Sequence, residues 1–179
     1  DSMHFEASFV DKEKKRIHYL VYGYLPRYPA YQKYQLQRQG YEVSEKFYAC
    51  LPQLISEEEE LMDMSEYQTA IQNLVQAFGL RGLQEQNEWL YLKKQMEYIE
   101  RQVKNQTIKD FLMDRITTRY VERRGTDHLE EIIRFYHDNV EAPEKRQKFD
   151  DLCQKWVKLV KGQPSPVFAC LYYPEKSLL

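Results

Sequence analysis

The sequence predicts an α+β domain: a small, mostly antiparallel sheet formed by an N-terminal hairpin and a C-terminal strand, covered by five or six helices. Three observations predict it. Residues 4–10 and 16–25 alternate in polarity on either side of the charged run Asp11-Lys12-Glu13-Lys14-Lys15. Residues 166–173 form an uncharged run of Val, Phe, Ala, Cys, Leu and Tyr. Between them lie well over a hundred residues with helical periodicity. A sheet shared by the two ends closes the chain into one domain, residues 3–179, with Asp1 and Ser2 left out.

Taking 11–15 as a five-residue turn pairs Phe5 with Val21, Ala7 with Tyr19 and Phe9 with Ile17 on one face. The other face pairs Glu6 with Leu20, Ser8 with His18 and Val10 with Arg16. One apolar and one mixed face suit a hairpin lying on helices. Residues 26–64 are irregular: Pro26 and Pro29 break the exit of the second strand, 30–39 fit a short helix, and Pro52 interrupts the segment before it. Ser65-Glu66-Tyr67-Gln68 then opens a helix with Tyr67, Ile71, Leu74, Val75 and Phe78 on one face and Gly79 as its stop. A longer helix over 84–105 carries the seam Trp89, Leu92, Met96, Ile99, Val103, spaced for close helix–helix packing. Thr107 caps the next, ending near Gly125, and Asp127 with Glu130 starts another with Leu129, Ile132, Ile133, Tyr136 and Val140 inside. Pro143 begins the last helix, whose stripe is Phe149, Leu152, Cys153, Trp156, Val157 and Val160, and Gly162 ends it. The 166–173 run is apolar on both faces, as expected of a strand covered on both sides, and Pro166 and Pro174 delimit it.

At 179 residues the chain fits one domain and is long enough to bury roughly 70% of the surface its unfolded form exposes. Cys50, Cys153 and Cys170 are odd in number and lack C-x-x-C spacing, which points to core thiols in a reducing compartment, the cytoplasm. No run approaches the ~18 apolar residues a membrane span needs. The net charge of −2 is unevenly spread, because residues 47–80 hold six acids and no base. The overall field is too weak for generic attraction to polyanions, whereas the acidic segment suits a basic partner.

Chemistry-bearing patterns are sparse. His128 and His137, nine positions apart on one helix, point to opposite faces, and no H-E-x-x-H or Cys/His cluster is present, so neither a metal nor another cofactor is implied. The six glycines form no phosphate-binding loop and no nucleophile elbow. His137-Asp138, as helix neighbours, diverge too far to act as an acid–base pair. Acid pairs such as Asp110 with Asp114 sit beside bases and fit a solvated face.

Three segments stand out. Eight of fifteen tyrosines fall between positions 19 and 48, interleaved with Arg27, Lys33 and Arg38. Tyr22, Tyr24, Tyr28 and Tyr31 with Arg27 therefore form a candidate partner-binding surface, or a stacking platform for single-stranded nucleic acid. Residues Glu57, Glu58, Glu59 and Glu60 precede Leu61 and Met62, an adaptable acidic surface for a basic amphipathic partner. The plainer account is a solvated loop ahead of the Ser65 helix. Arg119 falls on the apolar arc of its helix with Ile108, Leu112 and Ile116, which predicts a buried ion pair with an acid from another helix, or a bound anion. The expected function is non-enzymatic: an interaction, adaptor or regulatory domain that recognises another protein. A nucleic-acid-binding regulator is the alternative, and an enzyme whose site is dispersed in sequence the third. A free sheet edge or the Trp89–Val103 seam leaves self-association open.

Overall fold

The structure, a computed structural model, describes residues 6–38, 41–83 and 87–159. Every regular element among them is helical and none is a strand, so the protein is a helical bundle and not an α+β fold. The expected hairpin is one helix, α1 (Ala7–Tyr22). The error lay in the turn. Asp11-Lys12-Glu13-Lys14-Lys15 holds no Gly, Asn or Pro to reverse the chain. Lys and Glu are good helix formers, and the run closes its own i,i+3 ion pairs, Asp11–Lys14 at 3.6 Å and Glu13–Arg16 at 3.1 Å. The expected C-terminal strand, 166–173, lies outside the described residues.

Six further helices of ten or more residues follow: α2 (Glu45–Leu54), α3 (Ser65–Leu80), α4 (Glu88–Gln102), α5 (Gln106–Arg124), α6 (Leu129–Asn139) and α7 (Pro143–Lys158). Pro52 does not end α2. It sits in the last turn, where it forfeits the bond to the Tyr48 carbonyl, and the helix stops two residues later. Consecutive helices α3, α4 and α5 pack side by side through short connections. On one flank α1 and α2 pack on α3, and on the other α6 and α7 pack on α5 and on each other.

The predicted seams supply most of the core, although Val157 of the last stripe is exposed and Val160 lies outside the described residues. Leu92, Met96, Ile99 and Val103 of α4 are buried against Tyr67, Ile71 and Val75 of α3 and Ile108, Leu112 and Met113 of α5 within one cluster, which extends to Ile132, Tyr136 and Phe149. Two carboxylates hold the connections. Glu57 accepts from the backbone N–H groups of Lys104 and Asn105 ahead of α5, where Asn105 itself caps Ile108. Buried Asp110 accepts from the backbone of Glu141 and Ala142 ahead of α7. No helix among the described residues is long and apolar enough to cross a membrane.

Candidate interaction surface

α1 lies on the bundle by the side that carries buried Tyr19, flanked by half-exposed Lys12, Lys15 and Arg16. Lys12 pairs with Asp63 at 2.9 Å, Lys15 with Glu58, and Arg16 with Glu66 at 3.5 Å. All three acids belong to the base-free segment, so the basic partner that the acidic run calls for is the chain's own first helix. Exposed ion pairs contribute little; the grip comes from elsewhere. Buried Tyr19 meets the Tyr67 ring edge-on and donates to Glu58. His18 Nε2 lies 2.7 Å from the Leu54 carbonyl oxygen. Asn73 Nδ2 donates to the Gly23 carbonyl at 2.9 Å. A Cβ at Gly23 would stand 2.7 Å from that of Ala70, so only glycine lets the chain leave α1 this close to α3.

The acidic run is accordingly engaged within the fold and is not a free solvated loop. Glu57 holds the α5 entry, and Glu58 accepts from Ser56 and Tyr19 as well as pairing with Lys15. Glu59 accepts from Asn105 Nδ2 and Thr107 Oγ1. Burial alone would raise the Glu58 pKa, but the hydrogen bonds from Lys15, Tyr19 and Ser56 outweigh it and hold the carboxyl below its ordinary range. Leu61 is buried in the core, Met62 packs beside it, and Glu60 remains exposed, 3.6 Å from Lys15. Burial pushes the Tyr67 hydroxyl up to about 12, while its bond from the Glu58 backbone acts the other way.

With Tyr19 and its flanking bases on the bundle side, α1 turns Ile17 (57% exposed), Leu20 and Val21 (61%) to solvent. The apolar series continues along the chain through Tyr22, Tyr24, Tyr28, Tyr31, Tyr34 and Leu36, all exposed. Each predicted tyrosine of the partner-binding set is thus at the surface. The strap that carries them winds as a 3₁₀ turn (Leu25–Arg27), a single α turn (Tyr28–Ala30) and a π-helical turn (Tyr31–Gln35). π-turns are rare and concentrate at functional sites. Within this one Gln32 is buried and its Oε1 has no hydrogen-bond partner, a cost that ordinary folds avoid. Bases hover over the rings: the Arg27 guanidinium is 6.0 Å from the Tyr24 ring centre and Lys33 Nζ 5.5 Å from that of Tyr34.

An aromatic relay fixes the strap to the core. Tyr28 contacts Tyr41 and Phe47; Phe47 meets Tyr48, Tyr48 meets Phe78, and Phe78 stacks on Tyr98 at 4.3 Å. Beneath the strap lies a cavity of about 310 Å³ bordered by Pro29, Tyr34, Tyr41, Tyr48 and Arg81. Sequence pattern pointed to the tyrosines but missed this cavity, because Tyr48 and Arg81 come from α2 and from the residue after α3.

Arg119 is exposed, not buried, and forms no ion pair among the described residues. The contact of α5 with α3 and α4 opens into a second cavity at this point, and the Arg119 side chain reaches its rim. The histidines disperse: His18 bonds to the backbone, His128 stacks on Trp89 at 4.1 Å, and His137 Nε2 lies 2.7 Å from Asp150 Oδ1. That pairing across two helices was invisible to spacing, which offered only Asp138. Cys153 stands beside it, yet burial first and the Asp150 charge second push its thiol up to about 11, the opposite of an activated nucleophile. No protein-family model matches the chain, and no curated protein and no solved structure is significantly similar to it.

Proposed function

We propose that this chain is a non-enzymatic, protein-recognition domain. On this reading the outward face of α1 and the tyrosine strap grip a partner protein whose docking segment pairs apolar side chains with Asp and Glu. The observation that carries the reading is the inverted seating of α1, which commits its bases to Asp63, Glu58 and Glu66 and leaves Ile17, Leu20 and Val21 in solvent. A run of large exposed apolar side chains marks interaction sites, and tyrosine and arginine are the side chains that anchor them.

Charge favours an acidic partner. From Ile17 to Tyr41 there are three bases, Arg27, Lys33 and Arg38, and no acid. A second copy meeting this surface through a two-fold axis would set base against base, because the patch holds no carboxylate to answer them. Three bases are also few for anchoring a phosphate backbone, which ranks a nucleic acid below a protein. Cytoplasmic residence belongs to the same proposal; Cys50 and Cys153, both free thiols, support it.

The test uses two helical peptides with Leu at i, i+3, i+4 and i+7, one flanked by Glu and the other by Lys, and a fluorescent oligothymidine. Fluorescence anisotropy should show the Glu peptide binding and weakening with salt, the Lys peptide failing, and Ile17→Ser with Val21→Ser abolishing the signal. Oligothymidine binding in place of peptide binding would overturn the reading in favour of nucleic acid. Concentration-dependent dimerisation lost in the same variant would overturn it in favour of self-association.

A further inference from the structure

Arg115, Arg119 and Arg123 recur every fourth residue of α5 and border a cavity of about 200 Å³ enclosed by α3, α4 and α5. Like charges one turn apart repel, so the arrangement needs an acid. Among the described residues the one acid bordering the cavity is Glu88, and it is already held by Arg124 at 2.7 Å and Arg123 at 3.4 Å. Arg115 and Arg119 make no ion pair or hydrogen bond among the described residues. Asp114 accepts from Tyr136 on the α6 side, and Glu122, three residues after Arg119, is exposed and forms no ion pair or hydrogen bond among the described residues.

The polar groups behind the arginines are uncommitted too. Gln95 is 4% exposed, borders the cavity and has no hydrogen-bond partner in the described structure. Its amide atoms are not sealed in the core, since Gln32 Oε1 is the one buried side-chain polar atom left without a partner among the described residues, so the cavity is where the Gln95 amide meets solvent. Gln95 is pressed there because its Cγ would lie 2.5 Å from a Cβ at Gly79; glycine at that point of α3 makes the room. The Tyr91 hydroxyl and the Gln76 amide border the same space and also have no hydrogen-bond partner. Leu92, Leu112 and Ile116 supply an apolar floor.

We propose that this cavity is a binding site for a small organic anion, a carboxylate or phosphate carried on a compact apolar body. Arg115 and Arg119 hold the oxyanion through charge-assisted hydrogen bonds, in the paired geometry that guanidinium forks favour. Gln95 donates to it from inside, and the apolar body rests on Leu92, Leu112 and Ile116. The volume is below the ~300–1,000 Å³ of drug-sized ligand pockets, so a nucleotide is too large. The site lies between α4 and α5, away from the tyrosine strap, and stands or falls independently of the partner surface.

The experiment titrates the protein with phenyl phosphate, benzoate, inorganic phosphate and, as the cationic control, benzylamine, following thermal melting and the NMR shift of the Arg119 Nε–H group. Phenyl phosphate or benzoate should raise the melting temperature and move the Arg119 signal, and whichever does so at lower concentration identifies the head group. Arg115→Gln with Arg119→Gln, both at exposed positions, should leave the free protein folded and weaken binding by roughly tenfold or more. Gln95→Leu should weaken it with the arginines intact. Equal binding by the double variant, equal binding of benzylamine, or no response to either aromatic acid would overturn the proposal. Inorganic phosphate matching phenyl phosphate would overturn the role of the apolar floor.

Discussion

The acidic run at residues 57–60 and the tyrosine strap are both polar-rich segments between helices, yet they stand in opposite relation to the bundle. In the acidic run three of four carboxylates accept hydrogen bonds from backbone N–H groups, hydroxyls, amides or Lys15, and the fourth, Glu60, pairs with Lys15 at 3.6 Å. In the strap Tyr28 rests on Tyr41 and Phe47 while the rings of Tyr24, Tyr31 and Tyr34 stand exposed, and Gln32 Oε1 is satisfied by nothing among the described residues. Charge density marks the acidic run as a docking candidate beside the tyrosines, but a carboxylate has several acceptor sites and finds donors wherever helix ends gather. A tyrosine has one hydroxyl and a large ring; it leaves area uncovered even when its polar atom is content. Uncommitted groups, rather than charge, separate a binding surface from a structural joint.

That contrast fixes the largest expected effect. Glu57→Ala removes the acceptor for the Lys104 and Asn105 backbone at the positive end of α5. It should cost about 1 kcal/mol, as loss of a helix cap does, read as a lower urea midpoint with unchanged slope. An unchanged midpoint would return the acidic run to the status of a solvated loop and dissolve the comparison.

A smaller effect sharpens it through pH. The Glu58 pKa is depressed in the folded protein, so its contribution is fully present above the ordinary carboxylate range. It is lost as pH falls through that range and on through the lower folded value. Glu58→Gln should therefore melt below the wild type at neutral pH, with the gap closing as the solution is acidified through about pH 4. A gap that stays constant down to pH 2 would mean that shape, and not charge, is what Glu58 supplies.

How much of this could be read in the sequence differs by segment for one physical reason. Where the apolar stripe faces inward, as in Leu92, Met96, Ile99 and Val103, periodicity and burial coincide, and helices α3 to α7 were legible to within a few residues. Where it faces outward, as in α1, the same stripe misleads. Ile17 and Val21 were paired in a hairpin because large apolar residues were assumed to need cover. Pattern gives the faces of an element but not which one meets the core. The same limit applies to Arg119. Its position on the arc with Leu112 and Ile116 was correctly noted, but a cavity opens at that point of the α4–α5 contact and lets the guanidinium out. The His137–Asp150 pair was out of reach because it joins two helices whose relative turn no local spacing encodes.

The smallest expected change in stability tests the strap itself. Ile17→Ser, Val21→Ser and Tyr31→Ser together remove three large side chains, a change that in a core would abolish folding. Here each is more than half exposed, at 57%, 61% and 53%. Serine lowers helix propensity at positions 17 and 21 only slightly relative to Ile and Val. Because these side chains are largely solvated in both states, removing them shifts the folded and unfolded chains by nearly the same amount. The triple variant should therefore unfold within about 0.5 kcal/mol of the wild type, and with less tendency to associate at high concentration. A loss of several kcal/mol would mean that these side chains are covered in solution by part of this chain. The outward face of α1 would then be a piece of the core, and the proposed partner surface would disappear with it.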